Sequence, residues 1–509
     1  MSGERVKIRL EPLAVETDVP RNALLHLPLS AQGVEFPCGG TGGCGGCRVR
    51  VLAGSLEVTE ADHAAFTAEA LAAGWRLACQ ARAQMPLVLE CDQWHMNVLT
   101  DNGGLAGAGK HGLGIAIDLG TTTIAAQIVD MDSGNVLGVE TELNPQARFG
   151  ADVMSRIRAV LDGNNLTTPV RAALGQMVAR LTRGREDEIA EVVLVGNTVM
   201  HHLFSGLDVE PLAHAPFVSA HLGAQCFQPL ELGWHLPAGS SIRFVECLGG
   251  FVGSDILAGI VATGMARGDD LIALVDLGTN GEIAIGNRNG IVCASTAAGP
   301  AFEAGSIRMG VRAATGAISY VSLTGGEMKA IVIGDVEPRG ICGSGLVDAV
   351  TAGLRSGAIL ASGRIADGTK CFPVAGAVAL YQSDIRELQL AKAAIASGFG
   401  LLLKRLGTSA CDLKSIHLAG AFGNYVQIES AVRIGLIDIG LHAAPRELVH
   451  AAGNTALRGA KMLLLAAEKP SLPNIFHVSL ASNPDFQDEF ASCIGFPPER
   501  KMVEPLKVR

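Results

Sequence analysis

The sequence predicts a multidomain chain of α/β and α+β architecture, in which a small N-terminal unit precedes a body built from two related halves. Its 509 residues are enough for several domains at roughly 150 residues each. The tetrapeptide Asp-Leu-Gly-Thr begins at Asp118 and again at Asp276, one domain's length further along the chain. Strand-like apolar runs alternate with helix-like stretches around both copies, which favours two layered α/β halves.

Composition excludes several classes of protein. Hydrophobic residues make up 48% and charged residues 18% of the chain, which excludes a disordered protein. The net charge is −10, so nucleic acid is not an expected partner. No uninterrupted apolar run reaches the roughly 18 residues of a membrane span, so we expect no membrane partner. The segment Met1–Leu10 is charged, and we expect a cytoplasmic protein whose 12 cysteines form no disulfides.

The first unit, residues 1–95, is predicted to be a compact arrangement of strands and one helix. Val6, Ile8 and Leu10 alternate with charged residues, which is the period-two pattern of a half-buried strand. The other predicted elements are two strands and one helix, at Arg48–Leu52, Pro86–Glu90 and Thr59–Ala73. A glycine-rich stretch follows at 96–112, and its composition predicts a linker.

Four cysteines in this unit have the spacing of metal ligands. Cys38, Cys44 and Cys47 form a C-x5-C-x2-C pattern, and Cys79 follows further along the chain. This approaches the plant-type spacing for a 2Fe-2S cluster, with one extra residue in the loop. Six glycines lie between the first three cysteines, as expected where backbone must wrap tightly around a cluster. A four-thiolate zinc site is the alternative, and Cys91 is interpreted as structural.

Each Asp-Leu-Gly-Thr copy is predicted to lie at the tip of a β-hairpin, within Ile115–Val129 in the first half and Leu274–Ile285 in the second. A hairpin tip of this composition presents backbone N–H groups and hydroxyls, which can hold a phosphate. Asp118 and Asp276 then lie beside the phosphates, where one or two carboxylates are enough to hold a hydrated Mg²⁺ ion. The repetition of the pattern favours nucleotide binding over an ordinary turn.

The two halves, 113–268 and 269–509, match at another point. Each contains an apolar strand that ends in glycine, within Val192–Asn197 and Ile416–Asn424. Interleaved strands and helices on both sides of these motifs predict the same layered fold twice.

Two sets of charged or titratable residues are interpreted without a catalytic role. His201 and His202 follow a predicted strand and are expected to be packed or solvated rather than bound to a ligand. Four charged residues lie on the predicted helix Ser383–Arg405, where a solvated or partner-facing surface is expected, namely Asp384, Arg386, Glu387 and Lys392.

The N-terminal segment resembles ferredoxin domains of the 2Fe-2S type over residues 4–92. The resemblance rests on the cysteine spacing and implies a β-grasp fold. It implies that the cluster ligands are Cys38, Cys44, Cys47 and Cys79.

The body resembles the superfamily of acetate and sugar kinases, heat-shock chaperones and actin, whose two halves clamp ATP and Mg²⁺. The resemblance implies a duplicated actin-like ATPase fold with Asp118 and Asp276 as catalytic carboxylates. By the same resemblance, the phosphate-binding residues are Gly120, Thr121, Thr122 and Thr123 in the first hairpin and Gly278, Thr279, Asn280 and Gly281 in the second.

Further site residues follow from the same resemblance. The adenosine motif is expected at Gly420, Gly423 and Asn424. Two helix starts, at Gly343-Ser344 and Asn454, are expected either to donate N–H groups to the nucleotide or to be ordinary helix caps. Apart from the resemblance, Glu303 follows a Gly-Pro turn near the second phosphate hairpin and is expected either to orient the attacking water or to lie on the surface.

A ferredoxin unit fused to an ATP clamp resembles the reductive activators of corrinoid proteins, which restore Co(II) corrinoid to Co(I). Four blocks carry the resemblance: Asn144–Ile157, Val195–His202, Ala298–Glu303 and Asp384–Ala394. It implies three cofactors, namely a 2Fe-2S cluster, ATP and Mg²⁺. The implied partners are the corrinoid protein of a methyltransferase system and an upstream donor, which is a ferredoxin, flavodoxin or reductase. The resemblance leaves open whether the protein forms a homodimer.

Two other functions stay open on sequence grounds. One is an activator of another low-potential or radical enzyme, in the manner of the hydroxyacyl-CoA dehydratase activators. Those proteins share one cluster between two subunits and lack a fused ferredoxin unit. The other is a redox-sensing adaptor that binds ATP without turning it over.

Overall fold

The computed structural model describes residues 4–11, 15–32, 34, 36, 42, 47–91, 110–150, 152–278, 280–437, 445–468 and 470–498. Cys38, Cys44 and Thr279 lie outside the described residues, as does the predicted linker up to residue 109. Among the helices in the described ranges, none has both the length and the apolar character needed to cross a bilayer.

The N-terminal unit is built on a mixed five-stranded sheet. Its strands are β1 (Arg5–Glu11), β2 (Val15–Pro20), β3 (Ala23–Leu24), β4 (Arg48–Ala53), β5 (Trp75–Leu77), β6 (Arg82–Ala83) and β7 (Leu87–Cys91). Its helices are α1 (His26–Ser30), α2 (Glu60–Ala65) and α3 (Ala68–Ala72). The main sheet has the order β2-β1-β7-β4-β5, with β1 parallel to β7, and β3 pairs with β6. This arrangement confirms the predicted β-grasp fold, and Val6, Ile8 and Leu10 face its core.

The predicted helix Thr59–Ala73 is wrong as a single element. Thr59 caps α2 through a capping box with Asp62, but the chain becomes extended at Phe66, whose side chain is buried. Thr67 then caps α3 by accepting a hydrogen bond from the N–H of Ala70. A second threonine cap therefore starts a new helix where apolar periodicity predicted continuity.

The first half of the body contains a six-stranded sheet. Its strands are β8 (Leu113–Leu119), β9 (Thr123–Asp130), β10 (Val136–Leu143), β11 (Ile189–Gly196), β12 (Gln225–Phe227) and β13 (Ser241–Phe244). Its helices are α4 (Val153–Leu161), α5 (Thr167–Thr182), α6 (Thr198–Ser205), α7 (Pro229–Leu232) and α8 (Ser254–Thr263). Short 3-10 helices lie at Pro145–Phe149, Glu186–Glu188 and Glu210–Leu212.

The second half contains another six-stranded sheet and two smaller ones. Its strands are β14 (Leu271–Leu277), β15 (Gly281–Asn287), β16 (Gly290–Thr296), β17 (Ala317–Thr324), β18 (Glu327–Val332), β19 (Gly340–Ile341), β20 (Cys371–Ala375), β21 (Val378–Tyr381), β22 (Leu413–Ala419), β23 (Val449–Gly453) and β24 (Ile475–His477). Its helices are α9 (Gly343–Ser356), α10 (Gln382–Leu406), α11 (Gly420–Tyr425), α12 (Ile428–Arg433), α13 (Pro445–Leu448), α14 (Thr455–Leu465) and α15 (Phe486–Cys493). Short 3-10 helices lie at Pro300–Glu303 and Ala410–Asp412.

The two large sheets share one topology, which confirms the predicted duplication. The first half has the strand order β10-β9-β8-β11-β13, and the second has β16-β15-β14-β22-β23. In both, the first three strands are antiparallel and the last two run parallel to the central strand. The predicted Asp hairpins are β8–β9 and β14–β15, so the two aspartates occupy corresponding positions.

The halves exchange covering helices. Helix α14 belongs to the second half but packs on β8 and β11 of the first, where Leu464 lies over Gly114. Helix α8 belongs to the first half, and its residues Ile256 and Ile260 share a core with Leu274 of β14. The two helices also pack closely against each other between the sheets.

Gly459 permits this close crossing, and Gly459→Ala is expected to destabilise the protein. An added Cβ would lie 2.0 Å from the carbonyl oxygen of Ala258 in α8. Overpacking of about 1–3 kcal/mol outweighs the roughly 1 kcal/mol that alanine gains over glycine in a helix. The thermal unfolding midpoint should fall. In the helical control Gly400→Ala, the new Cβ meets the flexible end of Glu489 at 3.2 Å, so an equal loss there would contradict the explanation.

The expected surface position of Asp384 and Lys392 is wrong. Both residues are buried, whereas Arg386 is exposed and Glu387 is partly exposed, as predicted. Asp384 accepts hydrogen bonds from the backbone N–H groups of Arg308 and Tyr381, and the Lys392 ammonium donates to the carbonyl oxygen of Gly495. The histidine prediction is confirmed as packing, because His201 and His202 are both fully buried.

The N-terminal unit is joined to the first half by a shared apolar core. Leu143, at the end of β10, and Ala147, in the following 3-10 helix, are buried in the same cluster as Cys47 and Val49. The segment that leaves the first sheet therefore contacts the unit that carries the cysteines.

Candidate functional site

Two of the four predicted cluster cysteines, Cys47 and Cys79, lie within the described residues, at one end of the N-terminal sheet. Cys47 directly precedes β4 and Cys79 follows β5, and these strands pair with Arg48 opposite Leu77. The N–H of Ala78 donates to the carbonyl oxygen of Cys47 at 2.9 Å, so the two cysteine segments are adjacent. Both cysteines are buried, as the donors of an iron-sulfur cluster are expected to be. Cys91 is buried in β7, opposite Val49.

Asp118 and the first hairpin turn are held by amide side chains. The turn from Gly120 to Thr123 is closed by a hydrogen bond from the Gly120 N–H to the Thr123 carbonyl oxygen. Asn144 donates its amide to the carbonyl oxygen of Gly120 at 2.9 Å, and Asn197 donates to the Thr121 hydroxyl at 2.8 Å. The tip is therefore preorganised, which suits a site that presents backbone N–H groups to a phosphate.

The second hairpin has a similar turn. The N–H of Gly278 donates to the carbonyl oxygen of Asn280 at 3.0 Å, and Gly281 starts β15. Asp276 lies on β14 directly opposite Glu282 of β15. The second hairpin thus carries an additional carboxylate that the sequence analysis did not assign to the site.

The second half supplies residues to both aspartates. Asn454 caps α14 and donates its amide to the Asp118 carboxylate at 2.9 Å. Gly420 follows β22 with φ of +80°, and an added Cβ would lie 2.7 Å from Asp276 Oδ1. A side chain there is excluded both by the left-handed backbone and by the aspartate. The predicted adenosine motif therefore begins directly beside the second aspartate.

Four carboxyl groups meet in the cleft between the sheets, and burial raises the pKa of each. The pKa of Asp118 rises to about 6 and that of Asp276 to about 7, with the charge of Asp118 contributing to the second shift. Burial raises the pKa of Asp255, at the start of α8, to about 7, and it raises the pKa of Glu282 well above its usual value. Such a set favours a cation, because a positive charge would relieve both the repulsion and the burial.

A hydrated Mg²⁺ ion fits this donor set better than a directly ligated metal. Over the described ranges, no three His, Cys, Asp or Glu side chains are close enough to ligate one ion together. Mg²⁺ keeps several waters and needs only one or two protein carboxylates alongside phosphate oxygens. The four carboxyl groups meet that requirement.

The raised pKa values predict how stability depends on pH. A carboxyl group whose folded pKa exceeds its unfolded pKa destabilises the fold as pH rises between the two values. Asp276→Asn should therefore unfold at a higher temperature than the unsubstituted protein at pH 8 without nucleotide, and this difference should shrink as the pH falls from about 7 toward the unfolded pKa of about 4. Comparing the two proteins at each pH cancels groups that Asp276 does not influence, such as buried His201, whose pKa is lowered to about 4. Asp255 and Glu282 respond in the same direction as Asp276, because the Asp276 charge contributes to their raised pKa values. If the difference in unfolding temperature between the two proteins does not change with pH, the raised pKa of Asp276 is contradicted.

The remaining predicted residues lie in α9 and α11 of the second half. Gly343 starts α9 against the backbone of Phe302, and the Ser344 hydroxyl donates to the carbonyl oxygen of Ser319 at 2.8 Å. The N-cap of α9 is Cys342, which makes no side-chain capping hydrogen bond, so the Ser344 hydroxyl ties the start of α9 to β17 rather than capping the helix. Gly423 packs on Leu418 of β22, and Asn424 is half-buried in α11. The roles of these residues in nucleotide binding stay predictions.

A cavity of about 1380 Å³ lies where the three units meet. Phe36 and Arg48 of the N-terminal unit line one wall, and Thr122 and Asn280 bring the tips of both hairpins to it. Glu303 is exposed and also lines the cavity, on the same side as Asn280. The cavity therefore connects the vicinity of Cys47 with both predicted phosphate turns.

Known protein families match the three units. Residues 8–84 match the 2Fe-2S iron-sulfur cluster binding domain, which supports the iron-sulfur interpretation over zinc. Residues 113–268 match the RACo middle region, and residues 270–506 match the C-terminal domain of RACo, the ASKHA domain. ASKHA denotes the acetate and sugar kinase, heat-shock protein and actin superfamily, so the predicted ATPase fold is confirmed.

Individual relatives span most of the chain. The corrinoid activation enzyme RamQ of Eubacterium limosum is 34% identical over 415 residues, covering 74% of this chain and 69% of the relative. The Co(II) methylated amine-specific corrinoid protein reductase of Methanosarcina barkeri is 26% identical and covers 72% of each chain. A solved structure of a reductive activator for corrinoid, iron-sulfur protein has a TM-score of 0.64 and 26% identity, covering 98% of this chain and 100% of that one. The chain belongs to the family of reductive activators of corrinoid proteins.

Proposed function

We propose that this protein is an ATP-dependent reductive activator that passes single electrons from its 2Fe-2S cluster to the Co(II) corrinoid of a methyltransferase corrinoid protein, which regenerates Co(I). The observation that carries the proposal is the shared cavity, because a cysteine-bearing unit and both phosphate turns face one space. The activities named for the relatives are consistent with this assignment.

The N-terminal unit holds the redox centre. Cys47 and Cys79 bind it from adjacent segments, and Cys38 and Cys44 are proposed as the other two ligands. Burial of Cys47 and Cys79 limits the access of water and oxidants to the thiolates. When bound, the cluster supplies one electron for each cobalt ion reduced.

The body binds the nucleotide between the two hairpins. The turns at Gly120–Thr123 and Gly278–Gly281 present N–H groups to the phosphates, and Gly420 lets the start of α11 approach Asp276 closely. Asp118 and Asp276 would hold a hydrated Mg²⁺ ion, which when bound would supply positive charge to the phosphates. Glu303 is proposed to orient the attacking water from the cavity side.

Electron transfer to cobalt requires only a modest amount of free energy from ATP. Plant-type clusters have potentials near roughly −400 mV, and each further 59 mV uphill costs about 1.4 kcal/mol for one electron. ATP contributes by favouring a closed arrangement of the halves that binds the corrinoid protein more tightly than the open one. The exchanged helices α8 and α14 provide the contact through which both halves move together.

Several features complete the proposal. The upstream donor is proposed to be a ferredoxin, flavodoxin or reductase, and sedimentation analysis would show whether the protein forms a homodimer. We also propose a cytoplasmic location, which cell fractionation would test.

The decisive experiment mixes the reduced protein with ATP and a candidate corrinoid protein without oxygen. The Co(I) absorbance band should appear with ATP and Mg²⁺, and ADP should not replace ATP. The corrinoid protein should also bind more tightly in the presence of ATP. If the cluster is reduced and Co(I) forms equally well without nucleotide, the proposed coupling is wrong.

A further inference from the structure

More arginines than acidic residues line the cavity, so its positive charge is not fully neutralised. The arginines that line it are Arg48, Arg148, Arg156, Arg158 and Arg312. Arg158 pairs with Asp162 at 3.1 Å, while Arg48 and Arg312 have interactions of their own. The two cationic side chains left for a ligand are Arg148 and Arg156.

The acidic residues of the cavity are already engaged. Asp152 accepts the N–H of Ser155 at 2.8 Å as the cap of α4, Asp162 pairs with Arg158, and Glu303 has interactions of its own. Asp152 acts on Arg156 electrostatically but does not hydrogen-bond its guanidinium among the described residues. No carboxylate in the described ranges therefore forms an ion pair with Arg148 or Arg156.

The two arginines differ in their exposure to the cavity. Arg148 is half-buried and lies over the ring of Phe149 at 4.6 Å, and among the described residues its Nε has no hydrogen-bond partner. Arg156 is fully buried and donates to the carbonyl oxygen of Gly150 and to Gln146, which leaves Nη2 without a described partner. A buried guanidinium without an ion pair is costly unless a ligand compensates it.

The arginines are tied to the first phosphate turn by a chain of hydrogen bonds. Arg156 donates to the Gln146 side chain at 3.3 Å, and the N–H of Gln146 donates to the Asn144 side chain at 2.9 Å. Asn144 in turn bonds both Gly120 and Thr122, so one short segment connects the turn to both arginines. The same segment packs into the N-terminal core through Leu143 and Ala147.

We propose that Arg148, backed by the charge of Arg156, forms a subsite for a phosphate-class oxyanion at the edge of the first hairpin. The oxyanion is either the γ-phosphoryl group of ATP or inorganic phosphate released by hydrolysis, and this choice of source rests on the proposed function. Guanidinium groups bind such anions through charge-assisted hydrogen bonds. The subsite would place the charge that distinguishes ATP from ADP beside the segment that contacts the cysteine-bearing unit.

Titration calorimetry on the full-length, cluster-loaded protein tests the subsite in two arms. The first arm titrates inorganic phosphate with and without saturating ADP, and the second compares a non-hydrolysable ATP analogue with ADP. Arg148→Gln should weaken phosphate binding, or the preference for the triphosphate, by about tenfold or more, as loss of a charged hydrogen bond does. Its affinity for ADP should stay within about twofold. The arm that responds identifies the source of the anion.

Two further variants keep the result interpretable. Arg148→Lys keeps the charge without the planar fork, so its effect should be intermediate and its fold intact. Arg185→Gln removes an exposed arginine that pairs with Glu188 outside the cavity, and it should change neither arm. If Arg148→Gln and Arg148→Lys leave both arms unchanged, or if the unsubstituted protein neither binds phosphate nor prefers the triphosphate, the subsite is wrong. A failure to bind ADP would instead contradict the nucleotide clamp itself.

Discussion

Cys79→Ser is expected to abolish both the two-iron absorption spectrum and cobalt reduction. Cys79 is buried beside Cys47 at the end of the N-terminal sheet, and serine is a poor replacement for a thiolate ligand of iron. Iron content, the visible spectrum and the rate of Co(I) formation are measured on the same preparation. All three should fall to background, while ATP binding by the body is retained.

The matched control for that substitution is Cys91→Ala. Cys91 is also fully buried in the N-terminal unit, but it lies within β7 rather than beside Cys47 and Cys79 at the end of the sheet. This variant should keep its iron and its spectrum at some cost in stability. If Cys79→Ser keeps a normal cluster and normal cobalt reduction, the four-cysteine assignment is wrong. Loss of iron in the control alone would make Cys91 a ligand.

Asp276→Asn is expected to lower the rate of ATP hydrolysis by about 10²–10³-fold, the range seen when electrostatic stabilisation of a transition state is removed. Asp276 lies at the second phosphate turn, opposite Glu282 and beside Gly420. The amide keeps the shape of the side chain but binds Mg²⁺ poorly. Steady-state phosphate release is measured at saturating Mg²⁺ and ATP, with the corrinoid protein present.

The control for this loss is Asp269→Asn. Asp269 precedes β14 on the surface and pairs with Arg288, so its removal should leave hydrolysis unchanged. The cluster spectrum should be normal in both variants, which separates the nucleotide site from the redox site. Full hydrolysis by Asp276→Asn would exclude the proposed role, whereas partial rescue by excess Mg²⁺ would be consistent with weakened metal binding.

Local motifs predicted the parts of the site that lie within one hairpin or one loop. Asp118 and Asp276 were found because a strand, a Gly-Thr turn and a returning strand occur together in the sequence. Glu282 was missed although a signal existed, since pairing Leu277 with Gly281 places Asp276 opposite Glu282. Asp255 left no such signal, because it reaches the cleft only through the tertiary position of α8.

The errors in the fold prediction also arise from contacts that local sequence patterns do not reveal. The break at Phe66 depends on a second threonine cap, which apolar periodicity does not detect. The burial of Lys392 depends on a carbonyl group about a hundred residues away in the chain and on the ring of Phe496. Charge on a helix predicts exposure in general, and only a distant partner can reverse that expectation.

The exchange of α8 and α14 has a consequence for how the duplicated body can be divided. A fragment that ends before β14 would lack α14 and leave the apolar faces of β8 and β11 uncovered, and the complementary fragment would lack α8. Neither piece is a self-sufficient folding unit by this criterion. Produced separately, each should aggregate, whereas simultaneous production in one cell should allow the two pieces to complement each other and rebuild the cleft.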